Sequence, residues 1–188
     1  MILTDIWWHL FGRKVVSPFK SENINPTSYD LTLDSPVLLQ VYQGEVINRR
    51  GVIIGDTITL EDGTRLPNHF ARGDCLLAST NEVLRLPPFV RMQGMLKSSL
   101  AREGLNHRTA LYIDPGFEGP LTLELEFSLP GKLVPGKPIL QVEAAFVLTY
   151  KTYNGHYQHQ HRAQPNLNHN IAFQHVNEPH PSLQPNRA

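Results

Sequence analysis

Leu121-Thr122-Leu123-Glu124-Leu125-Glu126-Phe127 alternates without a break, placing Leu121, Leu123, Leu125 and Phe127 on one face and Thr122, Glu124 and Glu126 on the other. A period of two is that of a strand with one buried side. Glutamate is depleted in strands, so two of them on one face ask for a reason. Either that face meets solvent, as in many antiparallel sheets, or one carboxylate faces a site. Just upstream, Asp114-Pro115-Gly116 reads as a turn, with Pro fixing φ and Gly free to take φ > 0. Further back, Ser98-Ser99-Leu100-Ala101-Arg102 has the makings of one helical turn, and Gly104 stands where a left-handed terminating residue costs least. Two hydroxyls, the Lys97 and Arg102 cations and a helix start thus fall within a few residues, a natural cradle for phosphate.

Outward from this stretch the chain reads as short strands. Tyr29-Asp30-Leu31-Thr32-Leu33 alternates, with Asp34 as the expected turn after it. Val37-Leu38-Leu39, Val46-Ile47, Val52-Ile53-Ile54 and Ile58-Thr59-Leu60 are apolar runs separated by turn residues, and Glu61-Asp62-Gly63-Thr64 is a hairpin turn. Cys75-Leu76-Leu77-Ala78, Glu82 to Leu86 and Pro138 to Leu148 continue the pattern, around a Gly131 to Lys137 loop. Asp5 to Phe11 is a short amphipathic helix ending near Gly12, with Ile6 and Leu10, joined by Trp7, as its buried side. The expectation is an all-β dominated chain, a distorted β-barrel or jelly roll with a few short helices. From Tyr150 onward the composition turns to Asn, His, Gln and Pro. Residues 161–188 therefore read as a partly disordered His/Asn/Pro-rich tail on a domain of residues 1–160.

Composition narrows the function. The chain has 188 residues, enough for one domain with its own core. Seventeen Lys and Arg against seventeen Asp and Glu leave no net charge, so no long-range field draws nucleic acid or an anionic membrane, and any phosphate affinity must come from local geometry. A single cysteine, Cys75, rules out an internal disulfide and suggests a reducing compartment. The start of the chain lacks the basic and apolar segments of a secretion signal, so the expected location is cytoplasmic. The cysteine count excludes another class. Zinc-dependent nucleobase deaminases need His-x-Glu with Pro-Cys-x-x-Cys, and here no histidine of the nine is followed two residues later by Glu.

Four segments together resemble the dCTP deaminase branch of the dUTPase-like superfamily. They are Asn25-Pro26-Thr27-Ser28-Tyr29-Asp30-Leu31, Lys97 to Leu105, Thr109 to Gly119, and Leu121 to Leu125. The resemblance implies a dUTPase-like β fold over roughly residues 1–160 and zinc-independent hydrolytic deamination of dCTP to dUTP and ammonia. The alternatives are a bifunctional enzyme that continues to dUMP, or a nucleotide-binding homologue without turnover. It also implies a homotrimer with sites between subunits, and Mg²⁺ held through the substrate phosphates with no protein metal cage and no catalytic zinc.

The residue roles come from the same resemblance. Glu124 is the expected base and acid in turn, Glu126 its control, and Arg102 and Ser98 hold the attacking water and orient Glu124. Read by itself, Arg102 is equally a helix-end cation. Lys97 and Ser99 are expected to take phosphate oxygens, Ala110 to offer backbone contact, Tyr112 to wall the base and sugar pocket, and Asp114 to meet the sugar 3′-hydroxyl. Asp114 also reads as an ordinary turn residue. Tyr157 and Gln160 are expected to close over the triphosphate. Leu96 in place of Gly, His156 in place of Lys, and one residue fewer after Leu105 depart from the family pattern.

Overall fold

The computed structural model describes residues 1–109 and 111–166. One helix, α1 (Asp5–Val15), opens the chain, and a second, α2 (Ser98–Arg102), interrupts it midway. The strands are β1 (Val16–Ser17), β2 (Tyr29–Tyr42), β3 (Glu45–Ile54), β4 (Thr57–Leu60), β5 (Arg65–Pro67), β6 (Cys75–Thr80) and β7 (Val83–Arg85). After them come β8 (Val90–Leu96), β9 (Leu105–His107), β10 (Leu111–Ile113), β11 (Glu118–Gly119), β12 (Thr122–Phe127) and β13 (Pro138–Phe146). The expected β-dominated class is what the structure has. No helix among the described residues is long and apolar enough to cross a membrane.

Strand β2 is the frame. Its first part, around Tyr29 to Thr32, pairs with β13, which continues to β8 and β10. Its second part, Val37 to Tyr42, lies between β3 and β6, and β6 leads on to β12 and β9. All these pairings are antiparallel, as a meandering jelly-roll topology requires. The small sheet β1-β7-β11 stands apart from that path. Where a turn was expected at Asp34, the strand runs on. The register shifts between Leu33 and Val37, and Asp34 Oδ1 accepts the Ser35 N–H at 2.7 Å, so the carboxylate satisfies the backbone at a bulge.

The alternation of β12 is the burial pattern observed: Leu123 and Leu125 are fully enclosed, Phe127 nearly so, and Thr122, Glu124 and Glu126 half buried. Leu31, Leu39, Leu76 and Leu140 complete the centre of the core. The helix α1 corrects the expectation for the amino terminus. It runs to Val15, and its buried side is Trp8, Gly12 and Val15, while Ile6 and Leu10 stand 67% and 66% exposed. Trp8 stacks on Tyr29 at 5.2 Å, Tyr29 stacks on Phe19 at the same distance, and a Cβ on Gly12 would lie 2.3 Å from the Phe19 ring. The aromatic stack selects the face, and Gly12 lets it close.

One carboxylate is locked inside the frame. Glu82 is fully buried and accepts the Thr32 N–H and Thr32 hydroxyl, both at 2.8 Å, tying the β6–β7 turn to β2. Burial pushes its carboxyl above the ordinary glutamate range, with the two Thr32 donors pulling against that. The sign follows. The folded chain holds this proton more tightly than the unfolded chain, so the stabilisation is complete below the unfolded value and is lost as pH rises through the raised folded value. Glu82→Gln should flatten the fall in stability over that window in urea titrations, and Glu82→Ala, which leaves two buried donors unpaired, should cost about 2 kcal/mol.

Candidate active site

The outer face of β12, the turn after β10 and the segment 153–166 enclose a cavity of about 410 Å³. Glu124 on β12, Tyr112 on β10, Asp114 in the turn, and Tyr157 and Gln160 in the following segment all line it. Those five expected residues are thus brought together. The turn forms as read, since Gly116 takes φ +84° and its carbonyl accepts from Gln158 Nε2 at 2.8 Å. Tyr112 is 68% exposed at the mouth.

Segment 153–166 is held by contacts 40 or more residues distant in sequence, which no local pattern reveals. Gln158 clamps the turn, its amide bonding Gly116 O and its carbonyl accepting the Glu118 N–H at 3.1 Å. The His159 N–H donates to Glu118 O at 2.7 Å, and Gln160 Nε2 donates to Pro120 O at 2.5 Å. Ala163 is 2% exposed, packed on Leu38 and Leu77, and its carbonyl accepts from Arg50 at 3.1 Å. Gln40, Arg108, Thr122 and Gln164 also line the cavity. Of these, Thr122 carried a readable signal, being two residues before Glu124 on the same strand face.

Four expected residues lie elsewhere. Ser98, Ser99 and Arg102 are exposed on α2 and do not line the cavity. Lys97, which caps that helix, forms an ion pair with Asp30 of β2, and Asp30 also accepts from Asn25 Nδ2 at 3.0 Å. The Asn25 to Leu31 segment and the Lys97 segment therefore meet in space. Ala110 lies outside the described residues. Gly104 ends α2 at φ +87°, as its position predicts, and a Cβ there would lie 2.6 Å from Leu129 Cβ.

Glu124 is the chemically distinctive group of the cavity. Its side chain is one-third exposed, yet its Oε2 is enclosed and accepts no hydrogen bond. Burial pushes the carboxyl above the usual glutamate range, opposed by His107 and by its own backbone N–H. A carboxyl shifted this way keeps its proton to higher pH than a free glutamate and can give it back. Glu126, two residues on, is paired with Arg108 at 3.1 Å and is no cavity residue. Among the described residues no three His, Cys, Asp or Glu side chains come together as a metal site.

A family model described as dCTP deaminase-like matches residues 7–145. A protein named "dCTP deaminase, dUMP-forming" from Acidothermus cellulolyticus is 41% identical over 143 residues, covering 70% of this chain and 71% of its own length. One of the same name from Streptomyces coelicolor is 40% identical over 143 residues, with the same coverage. Among solved structures, a 2′-deoxycytidine 5′-triphosphate deaminase from Agrobacterium tumefaciens superposes with a TM-score of 0.55 at 21% identity. It covers 76% of this chain, which spans 47% of that longer chain, and the likeness concerns the fold alone.

Proposed function

The chain belongs to the dCTP deaminase-like family, and we propose that it deaminates dCTP hydrolytically and cleaves the triphosphate as well, releasing ammonia, diphosphate and dUMP. The expectation of dUTP as the end product is overturned, because the relatives at about two-fifths identity are each named for forming dUMP. The observation that carries the proposal is the Glu124 carboxyl, its Oε2 enclosed, on a cavity of about 410 Å³ that Asp114 and Tyr112 also line.

Deamination replaces the 4-amino group by oxygen, and both hydrogens of one water pass to the products. One ends on ring N3 and one leaves with ammonia. Glu124 gives its proton to N3 as water adds to C4 and takes a proton from that water. The C4–N4 bond then breaks with its electron pair on nitrogen as Glu124 protonates the amine, and the new C4 hydroxyl returns its proton to the carboxylate. Charge building on the tetrahedral carbon is met by the Arg102 guanidinium, with the Ser98 hydroxyl holding the water.

Arg102 and Ser98 do not line the cavity of their own chain, which supports a homotrimer whose sites take α2 from one copy and Glu124 from the next. Lys97 and Ser99 would arrive with α2 to meet the phosphates, Lys97 exchanging Asp30 for a phosphate oxygen. Asp114 would take the sugar 3′-hydroxyl and prepare water for the diphosphate cleavage, and Tyr157 and Gln160 would close the triphosphate end. Magnesium accompanying the triphosphate would take its ligands from phosphate oxygens and water. A catalytic zinc has no part in this reaction, in keeping with the lone Cys75. The reducing cytoplasm is the compartment that suits that thiol.

The test follows three products from dCTP with Mg²⁺. Ammonia, diphosphate and dUMP should rise in equal amounts with no accumulation of dUTP. Ammonia rising with dUTP and without diphosphate would sink the second half of the proposal, and nucleotide binding with no ammonia would sink both.

A further inference from the structure

His107 touches Glu124 from the neighbouring strand, and its surroundings decide where its proton sits. Strand β9 pairs with β12 so that His107 lies opposite Leu125, and the Arg108 N–H donates to Glu124 O at 2.9 Å. The imidazole is 5% exposed. Its Nδ1 lies 2.5 Å from Thr109 O, a carbonyl that has no hydrogen to offer, so Nδ1 carries the hydrogen. Its Nε2 accepts the Glu124 backbone N–H at 3.3 Å, so Nε2 presents a lone pair. That lone pair stands 3.3 Å from Glu124 Oε2, the enclosed oxygen with no hydrogen-bond donor. Two lone pairs facing each other in a closed space repel, and one proton between them removes the repulsion.

Other titratable groups stand on the packed elements. Arg108 and Glu126 are joined to each other, and Cys75 of β6 lies under Arg108. Asp114, Tyr112, Tyr153 and Tyr157 line the cavity that Glu124 faces. We propose that His107 is a positioning and proton-holding residue for Glu124, its Nε2 and Glu124 Oε2 sharing one proton between them. The backbone contact to Thr109 fixes the tautomer, and the single Nε2 lone pair, which the Glu124 amide N–H meets only at 3.3 Å, turns from that N–H to give the shuttled proton a second seat. During deamination the proton returning from the C4 hydroxyl then comes back to the pair, and no proton is gained or lost over the cycle. The catalytic part of this inference rests on the deaminase function proposed above, whereas the shared proton does not.

His107→Gln separates holding a proton from merely filling space. Its amide oxygen can accept the Glu124 N–H as Nε2 does, but the amide cannot take up a proton. The expected result is an unchanged thermal midpoint and a KM for dCTP within about twofold of the parent, with kcat lowered about 10–100-fold and one limb of its pH profile lost. Parent-like kcat and pH profile in His107→Gln would overturn the catalytic part. Independently of turnover, ¹⁵N imidazole spectra should show the Nδ1–H tautomer for His107 near neutral pH, and Glu124→Gln should move the Nε2 resonance. A His107 Nε2 resonance unmoved by Glu124→Gln, or an Nε2–H tautomer, would overturn the shared proton. If the parent releases no ammonia, the function has failed and the spectra alone still decide the pair.

Discussion

Glu124→Gln should slow ammonia release from dCTP by about 10²–10⁴-fold, the range removed when a positioned acid–base group is lost. The amide keeps the size of the side chain and its place on β12, so nucleotide affinity and folding should change little. What it loses is the ability to take a proton from water and pass it on, and burial has already prepared this carboxyl to carry one. Glu126→Gln is the matched control on the same strand face. It breaks an exposed pair with Arg108 worth at most about 1 kcal/mol, so turnover should stay within roughly fivefold of the parent. Measured side by side, parent-like turnover in Glu124→Gln with loss in Glu126→Gln would reverse the assignment.

Arg102→Ala should lower the deamination kcat by about 10²–10³-fold, as expected when one donor to a developing oxyanion is removed. Arg102→Lys should recover only part of that, because a point charge does not reproduce the planar fork of a guanidinium. The effect is surprising for a single chain, in which Arg102 is exposed and outside the cavity. It becomes reasonable if α2 serves the cavity of another copy. Mixing and reassembling equal amounts of Arg102→Ala and Glu124→Gln, each inactive by itself, should then restore roughly a quarter of parental turnover, since half the sites receive an intact Glu124 and half of those an intact Arg102. No recovery from the mixture would show that the two groups do not meet across copies.

Where the sequence spoke clearly, it did so through local rules. The alternation from Leu121 to Phe127 gives the buried and cavity-facing sides of β12 directly. Gly104 and Gly116 take the positive φ that their places after a helix and within a turn demand. The face of α1 was concealed for a physical reason. Its buried stripe of Trp8, Gly12 and Val15 contains a glycine that serves by being small, so a search for apolar side chains settles on Ile6 and Leu10. Asp34 was read as a turn because aspartate usually bonds the backbone where a strand ends; here it does so at a bulge within one.

The cavity was legible only in part. Glu124, Asp114 and Tyr112 sit on elements whose local pattern and likeness to a family place them. Gln158 and Ala163 act through partners far away in the chain, and nothing in a run of Gln and His residues marks one amide as a clamp. The contact of Lys97 with Asp30 has the same character, since each belongs to a recognisable segment but their meeting depends on the fold.

Asp30 and Gln40 belong to one strand, the first gripping Lys97 and the second lining the cavity beside Glu124. The cation at the root of the short helix and one wall of the cavity are thereby mounted on a single spar. The bulge at Asp34 lies between the two mounts, so its geometry sets how they stand relative to each other.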